Sequence, residues 1–131
     1  DMYIGVDISA PGGDDRDAAG VPADGQIWST LNTGKTEAEE PTYGEEQGTS
    51  MASPMAAGVV ALMYSVKPDL TADQVWNILS STAKSFAPNS ECADNVITTY
   101  DADSGRNIKT GRCGLGLIDA GAAVAAVQKL K

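Results

Sequence analysis

At 131 residues the chain is long enough for one small domain with a modest core of its own. Eighteen Asp and Glu against nine Lys and Arg leave a formal charge of −9, which argues against nucleic acid and anionic membranes as partners, since both need a basic face. The charge suits a soluble, secreted protein. With no histidine in the chain, and neither cysteine in a Cys-x-x-Cys context, imidazole or thiolate metal sites are excluded too.

In chain order, Met2 to Ala10 reads as a strand, Val6 and Ile8 alternating with Asp7 and Ser9, and Pro11-Gly12-Gly13 stops it. Asp14, Asp15 and Asp17 then crowd a loop. Three carboxylates so close together suit a hard cation such as Ca2+, and they suit a solvated acidic turn as well. Gln26 to Leu31 suggests a second short strand. From Asn32 to Glu46 the chain is polar and acidic, carrying Glu37, Glu39, Glu40, Glu45 and Glu46, and reads as an exposed loop. Its acidic end lies beside Ser50 in sequence, where it would favour basic residues in a ligand.

From Gln47 to Val66 there is no charged residue. Gly48-Thr49-Ser50 leads into a helix expected from about Thr49 to Val66 and buried on all sides. Pro54 removes the N–H that would bond the Ser50 carbonyl, so a bend or loosened first turn is expected there. A serine in that first turn sits near the positive end of the helix dipole, among backbone N–H groups without internal partners. Negative charge developing beside it, as in acyl transfer, would find donors in place. The same pattern is met if Thr49 or Ser50 only caps a core helix.

Lys67-Pro68 ends that helix, because the residue before proline is pushed out of the helical region. Thr71-Ala72-Asp73-Gln74 is a capping-box start, and Val75, Ile78 and Leu79 follow at helical spacing to an end near Lys84. Ile97 to Tyr100 and Arg106 to Thr110 read as a hairpin around residues 101–105. The Asp101-x-Asp103 start of that turn is no EF-hand, since Arg112 stands where a bidentate Glu is required. Leu115 to Ile118 is a short buried strand, and Asp119 caps a last helix running to Lys129. Cys92 and Cys113 enclose about twenty residues. A bridge closing such a loop is worth roughly 3 kcal/mol in the chain-entropy account. Two free buried thiols are the alternative; the expectation is a disulfide.

Gly48-Thr49-Ser50-Met51-Ala52-Ser53-Pro54 resembles the nucleophile signature of the subtilisin-like serine proteases, the subtilases or peptidase S8 type. Asp7-Ile8-Ser9-Ala10-Pro11-Gly12-Gly13 is similar to the family's strand and turn ending in Ala-Pro-Gly. Ile27-Trp28-Ser29-Thr30-Leu31 resembles the segment that follows it. Pro68-Asp69-Leu70-Thr71 with its helix, and Gly114-Leu115-Gly116-Leu117-Ile118-Asp119-Ala120, resemble the family's final helix and strand. The resemblance implies an α/β fold, a mostly parallel sheet with helices on both faces, of which residues 1–131 are only the C-terminal half of one catalytic domain. Half a sheet exposes apolar edges, so the chain is not expected to fold well alone.

The activity implied is serine endopeptidase action: hydrolysis of peptide bonds in a protein or peptide substrate through an acyl-enzyme on Ser50. The Ser50 backbone N–H is one oxyanion donor, and Gly48, Thr49 and Met51 are its neighbours in the cleft. Met51 is then the most oxidation-sensitive position near the site. Triad order in the family is Asp, His, Ser. The His, its orienting Asp and the oxyanion-hole Asn are therefore expected on an upstream N-terminal segment of the same protease, and this chain alone is expected to be inactive. Asp7, Asp14 and Asp119 are poor candidates for that Asp. Asp1 is no initiator Met and no leader precedes the first strand, so the chain is expected to be a piece, processed or truncated. No cofactor is required for the chemistry; calcium sites are common in the family, and the extracellular space is the implied location. The sequence departs from the family at Met55, where a histidine outside the triad is usual. The competing reading is a pseudo-protease or binding fragment that retains the fold without catalysis.

Overall fold

The structure is a computed structural model, and it describes residues 6–16, 20–88, 90, 92, 97–101, 106–110 and 113–130. Its elements in chain order are β1 (Asp14–Arg16), β2 (Pro22–Gly25), β3 (Ile27–Asn32), β4 (Pro41–Glu46), α1 (Thr49–Val66), α2 (Ala72–Thr82), β5 (Ile97–Asp101), β6 (Arg106–Thr110) and α3 (Ala120–Gln128). They fall into two units. One holds the segment ending at Ala10 together with Ala56 onward; the other is Pro11–Met55.

The first unit is built on helices whose ends the sequence marks. Thr71 caps α2 by a complete capping box: its hydroxyl accepts the Gln74 N–H at 3.2 Å, and Gln74 Oε1 accepts the Thr71 N–H at 2.9 Å. Asp119 caps α3, its Oδ1 accepting the Ala122 N–H at 2.9 Å. Val75, Ile78 and Leu79 of α2 and Ala123 and Val127 of α3 form a core with Val59 and Met63 of α1 and with Leu70. Small Ala123 lets the helices approach closely, and Met63, wholly buried, fills the space that remains. Met63→Ala is expected to cost about 2–5 kcal/mol, read as a lowered urea midpoint. A loss below the range for a buried methionine would mean that the core collapses around the site.

The one parallel pairing among the described residues joins the end of the first segment to the segment before α3. Leu115 N–H donates to Asp7 O, Ser9 N–H to Gly116 O and Ile118 N–H to Ser9 O, all within 2.9 Å. Leu117 also exchanges both backbone bonds with Lys84 at 2.8 Å, so it stands between two neighbours as a strand in the middle of a sheet does. Ser9 Oγ donates to Cys113 O at 2.8 Å, and Cys113 is bonded to Cys92, their Cα atoms 5.6 Å apart. The expected disulfide is present. The expected hairpin is present as well, β5 pairing antiparallel with β6 in register Ile97↔Thr110 to Asp101↔Arg106.

Asp119 has a second partner, Lys84 Nζ at 3.1 Å. The Ala122 N–H first, and Lys84 second, hold its carboxyl below the ordinary aspartate value of 3.8. The folded protein therefore binds that proton more weakly than the unfolded chain. The stabilisation is complete above the unfolded value and fades as pH falls through the folded one. Asp119→Asn keeps an oxygen for the cap and removes the charge. It is expected to flatten the acid limb of stability, measured as urea midpoints from neutral pH down to pH about 3; an unchanged acid slope would count against it.

Leu115 to Ile118 is not a buried strand: Leu117 makes isolated bridges and is 37% exposed, and of the expected strand Met2 to Ala10 residues 2–5 lie outside the described residues. Three further expectations are corrected. Helix α1 has the predicted bounds, and helical structure continues through Pro54. It is not buried on all sides, however: only Val59 and Met63 are buried, while Leu62 is 52% exposed and Met55, Tyr64 and Val66 are exposed too. The helix offers apolar surface all round, but among the described residues the core cluster takes in Val59 and Met63, one turn apart, with Val60 half-buried against it. Second, the acidic stretch Asn32–Glu46 is not all loop. Residues 41–46 form β4, paired with β3 in unbroken register from Ile27↔Glu46 to Asn32↔Pro41. Thr42 and Tyr43 favour a strand, and Pro41 is tolerated at the first position of an edge strand. The true loop is Thr33–Glu40, closed by Thr33 N–H to Glu40 O at 3.0 Å and by Asn32 Oδ1 accepting the Gly34 N–H at 2.9 Å. Third, Asp14 and Asp15 lie not in a loop but in β1, paired with β2.

Candidate active site

The Pro11–Met55 unit brings together Gly12, Gly48 and the first turn of α1. Gly48 has φ +139°, a conformation that glycine adopts and residues with a Cβ rarely do. That turn of the chain lets its carbonyl accept the first two helical bonds, from Met51 N–H at 3.0 Å and Ala52 N–H at 3.2 Å. Its own N–H donates to Gly12 O at 2.7 Å. The approach is so close that a Cβ on Gly12 would stand 2.7 Å from Gly48 O and 3.4 Å from Ala52 Cβ. Gly13, with φ +80°, is also close-packed: a Cβ there would stand 3.2 Å from the Gln26–Ile27 backbone and from Glu46 O. The Pro-Gly-Gly stop is thus also the bracket that holds the start of α1. The sequence carried that signal, two consecutive glycines after proline, but read alone it says only that a strand ends.

Ser50 is the second residue of α1 and is exposed. Neither its N–H nor its Oγ has a hydrogen-bond partner among the described residues. Thr49 and Gly48 are exposed beside it, and Met51 is half-buried. No acidic residue occupies the first turn, so nothing there offsets the positive end of the helix dipole. Ser50 therefore offers a hydroxyl and a backbone donor at one point, facing outward. Such a place accepts an oxyanion, while the hydroxyl, with no base beside it, is a weak nucleophile near neutral pH.

The carboxylates considered as metal ligands or triad members have other work. Asp14 Oδ1 accepts the Arg16 N–H at 3.0 Å, Asp15 Oδ1 lies 4.0 Å from Arg16 Nε, and Asp17 lies outside the described residues. Among the described residues no three His, Cys, Asp or Glu side chains gather as an ion site requires. Asp119 caps α3, whereas Asp7 engages Leu115 through its backbone carbonyl only.

A model of the subtilase family, peptidase S8, matches residues 1–116. The chain belongs to the subtilase family. It is 37% identical over 123 residues to an extracellular protease of Xanthomonas campestris pv. campestris, a match covering 93% of this chain and 16% of that protein. To an extracellular basic protease of Dichelobacter nodosus it is 36% identical over 101 residues, 77% of this chain and 14% of the relative. A solved protease of Pseudoalteromonas arctica superposes on it with a TM-score of 0.66 at 37% identity, over 93% of this chain and 29% of that one. The helices and small sheets described above are thus part of an α/β subtilisin-like domain, and the chain spans less than a third of the length of these relatives.

Proposed function

We propose that this subtilase chain carries the nucleophile of a secreted serine endopeptidase, with Ser50 attacking the scissile carbonyl carbon. The supporting observation is the site itself: an exposed serine with free Oγ and free N–H among the described residues, set on the first turn of a helix by the Gly12–Gly48 bracket. In the first step the Oγ–C bond forms as the hydroxyl proton passes to a base. The carbonyl oxygen becomes an oxyanion that the Ser50 N–H stabilises. The tetrahedral intermediate then collapses, the C–N bond breaks, and the amine leaves with the proton from the base. Water reverses the sequence on the resulting ester, freeing the acid and Ser50.

The chain has no histidine, so the base is supplied by a preceding segment of the same protein, along with its orienting aspartate. Substrates are proteins or peptides. Two relatives are named extracellular, and a secreted protein is where a disulfide such as Cys92–Cys113 persists. No step requires a cofactor; a structural calcium ion on Asp14, Asp15 and Asp17 is a separate proposal, tested by whether chelator lowers the melting temperature of the intact protein.

The test is treatment of the intact protein with a fluorophosphonate, followed by peptide mapping. A single adduct on Ser50 is the expected result, because the reagent reacts with an activated serine. Absence of an adduct on folded protein that contains the preceding segment would overturn the reading and leave a binding fragment that has kept the fold.

A further inference from the structure

The ribbon of β3 and β4 turns its largest side chains to the open side. On one face Ile27, Ser29 and Leu31 lie with Thr42, Gly44 and Glu46. That is the packed face: Ile27, Thr42 and Gly44 are half-buried, and Leu31 lies so close over Gly44 that a Cβ there would be 2.6 Å from its Cδ1. On the other face Trp28 pairs with Glu45 and Thr30 with Tyr43. Here Trp28 is 65% exposed and Tyr43 72%, the reverse of the usual arrangement in which the aromatic face is covered.

The ribbon is also strongly acidic. Between Gln26 and Ser50 stand Glu37, Glu39, Glu40, Glu45 and Glu46 against Lys35 alone, and none of these glutamates forms an ion pair among the described residues. An exposed indole and phenol beside an unpaired carboxylate make a surface for a cation. Ring faces attract ammonium and guanidinium groups, and Glu45, directly across from Trp28, supplies the countercharge.

Resting on Ser50 as nucleophile, we propose that the Trp28–Tyr43–Glu45 face binds Lys or Arg side chains of the polypeptide substrate close to its scissile bond. The chain itself sets the reach. Glu45 is five residues before Ser50, so their Cα atoms are at most about 19 Å apart. An extended substrate advances about 3.3 Å per residue, which places the cation within about six residues of the bond cleaved. The net charge of −9 on this chain draws such substrates in from solution.

The test uses the intact protein and matched peptides in which Lys, Arg or Gln is scanned through the six positions on either side of one cleavage site. At one or more positions kcat/KM for Lys or Arg is expected to exceed that for Gln by about fivefold at low salt, and the preference is expected to fade at high salt. Trp28→Ala with Glu45→Gln is expected to remove it while fluorophosphonate labelling of Ser50 is unchanged. An enzyme that labels and cleaves but shows no such preference, or keeps it in the double variant, overturns the proposal. If Ser50 does not label, the protease reading has failed, and Trp28 emission in a Trp76→Phe background decides the matter. Quenching by the Lys peptide over its Gln counterpart supports the surface; no difference sinks it. Emission shielded from acrylamide, a neutral quencher, would show that another part of the same protein covers Trp28, and would overturn it as well.

Discussion

Replacing Ser50 by alanine in the intact protein is expected to abolish cleavage while leaving the fold untouched. In subtilisin the loss of the nucleophile lowers kcat roughly 2 × 10⁶-fold, and that is the scale expected here. The drop is so large because no other group can form the acyl-enzyme, whereas substrate binding and the oxyanion donors survive the change. Stability is a separate matter. Ser50 is exposed, its hydroxyl has no partner among the described residues, and alanine is the better helix former. The melting temperature should therefore stay level or rise slightly. These two readouts together discriminate. A variant that keeps more than about one part in a hundred of the activity shows that Ser50 is not the nucleophile. A variant that loses activity and stability together points instead to a structural role.

What the sequence revealed and what it concealed divide along the range of the interactions involved. The ends of α2 and α3 were legible because Thr71 with Gln74 and Asp119 with Ala122 act over three residues, within one turn of helix. The start of α1 was legible because the residues that mark it, Gly48 to Pro54, are contiguous. The strand β4 was not, because Gly44 and the glutamates at 45 and 46 blur its alternation; it is a strand by virtue of pairing with β3 across the Thr33–Glu40 loop. The burial of α1 was misread for a related reason. Composition shows how much apolar surface a helix offers, while burial depends on what lies against each side, and of the α1 residues only Val59 and Met63 are buried. The links most remote in sequence were wholly invisible: Ser9 to Leu117, Lys84 to Asp119, and Gly12 to Gly48.

The last of these carries the second large effect. Gly12→Ala is expected to lower kcat/KM by about ten- to a hundredfold, since misplacing reacting atoms by about 1 Å costs that order. The added Cβ would stand 2.7 Å from Gly48 O and 3.3 Å from Gly48 C, both backbone atoms, so no side chain can swing aside to admit it. Gly48 must move. Its carbonyl accepts the Met51 and Ala52 N–H groups and its N–H is held by Gly12 O, so a shift there re-aims the turn that carries Ser50. The rate of fluorophosphonate labelling should fall in step with kcat/KM, because the nucleophile itself is displaced; a loss confined to peptide substrates would instead indicate damage to substrate binding. Gly20→Ala is the control within the same unit. Gly20 has φ +78°, but nothing lies within 4 Å of where its Cβ would be, so that substitution brings backbone strain without pressing on Gly48. It should lower stability and spare the rate. Full activity in Gly12→Ala would show that the start of α1 is positioned by something other than this pair of glycines.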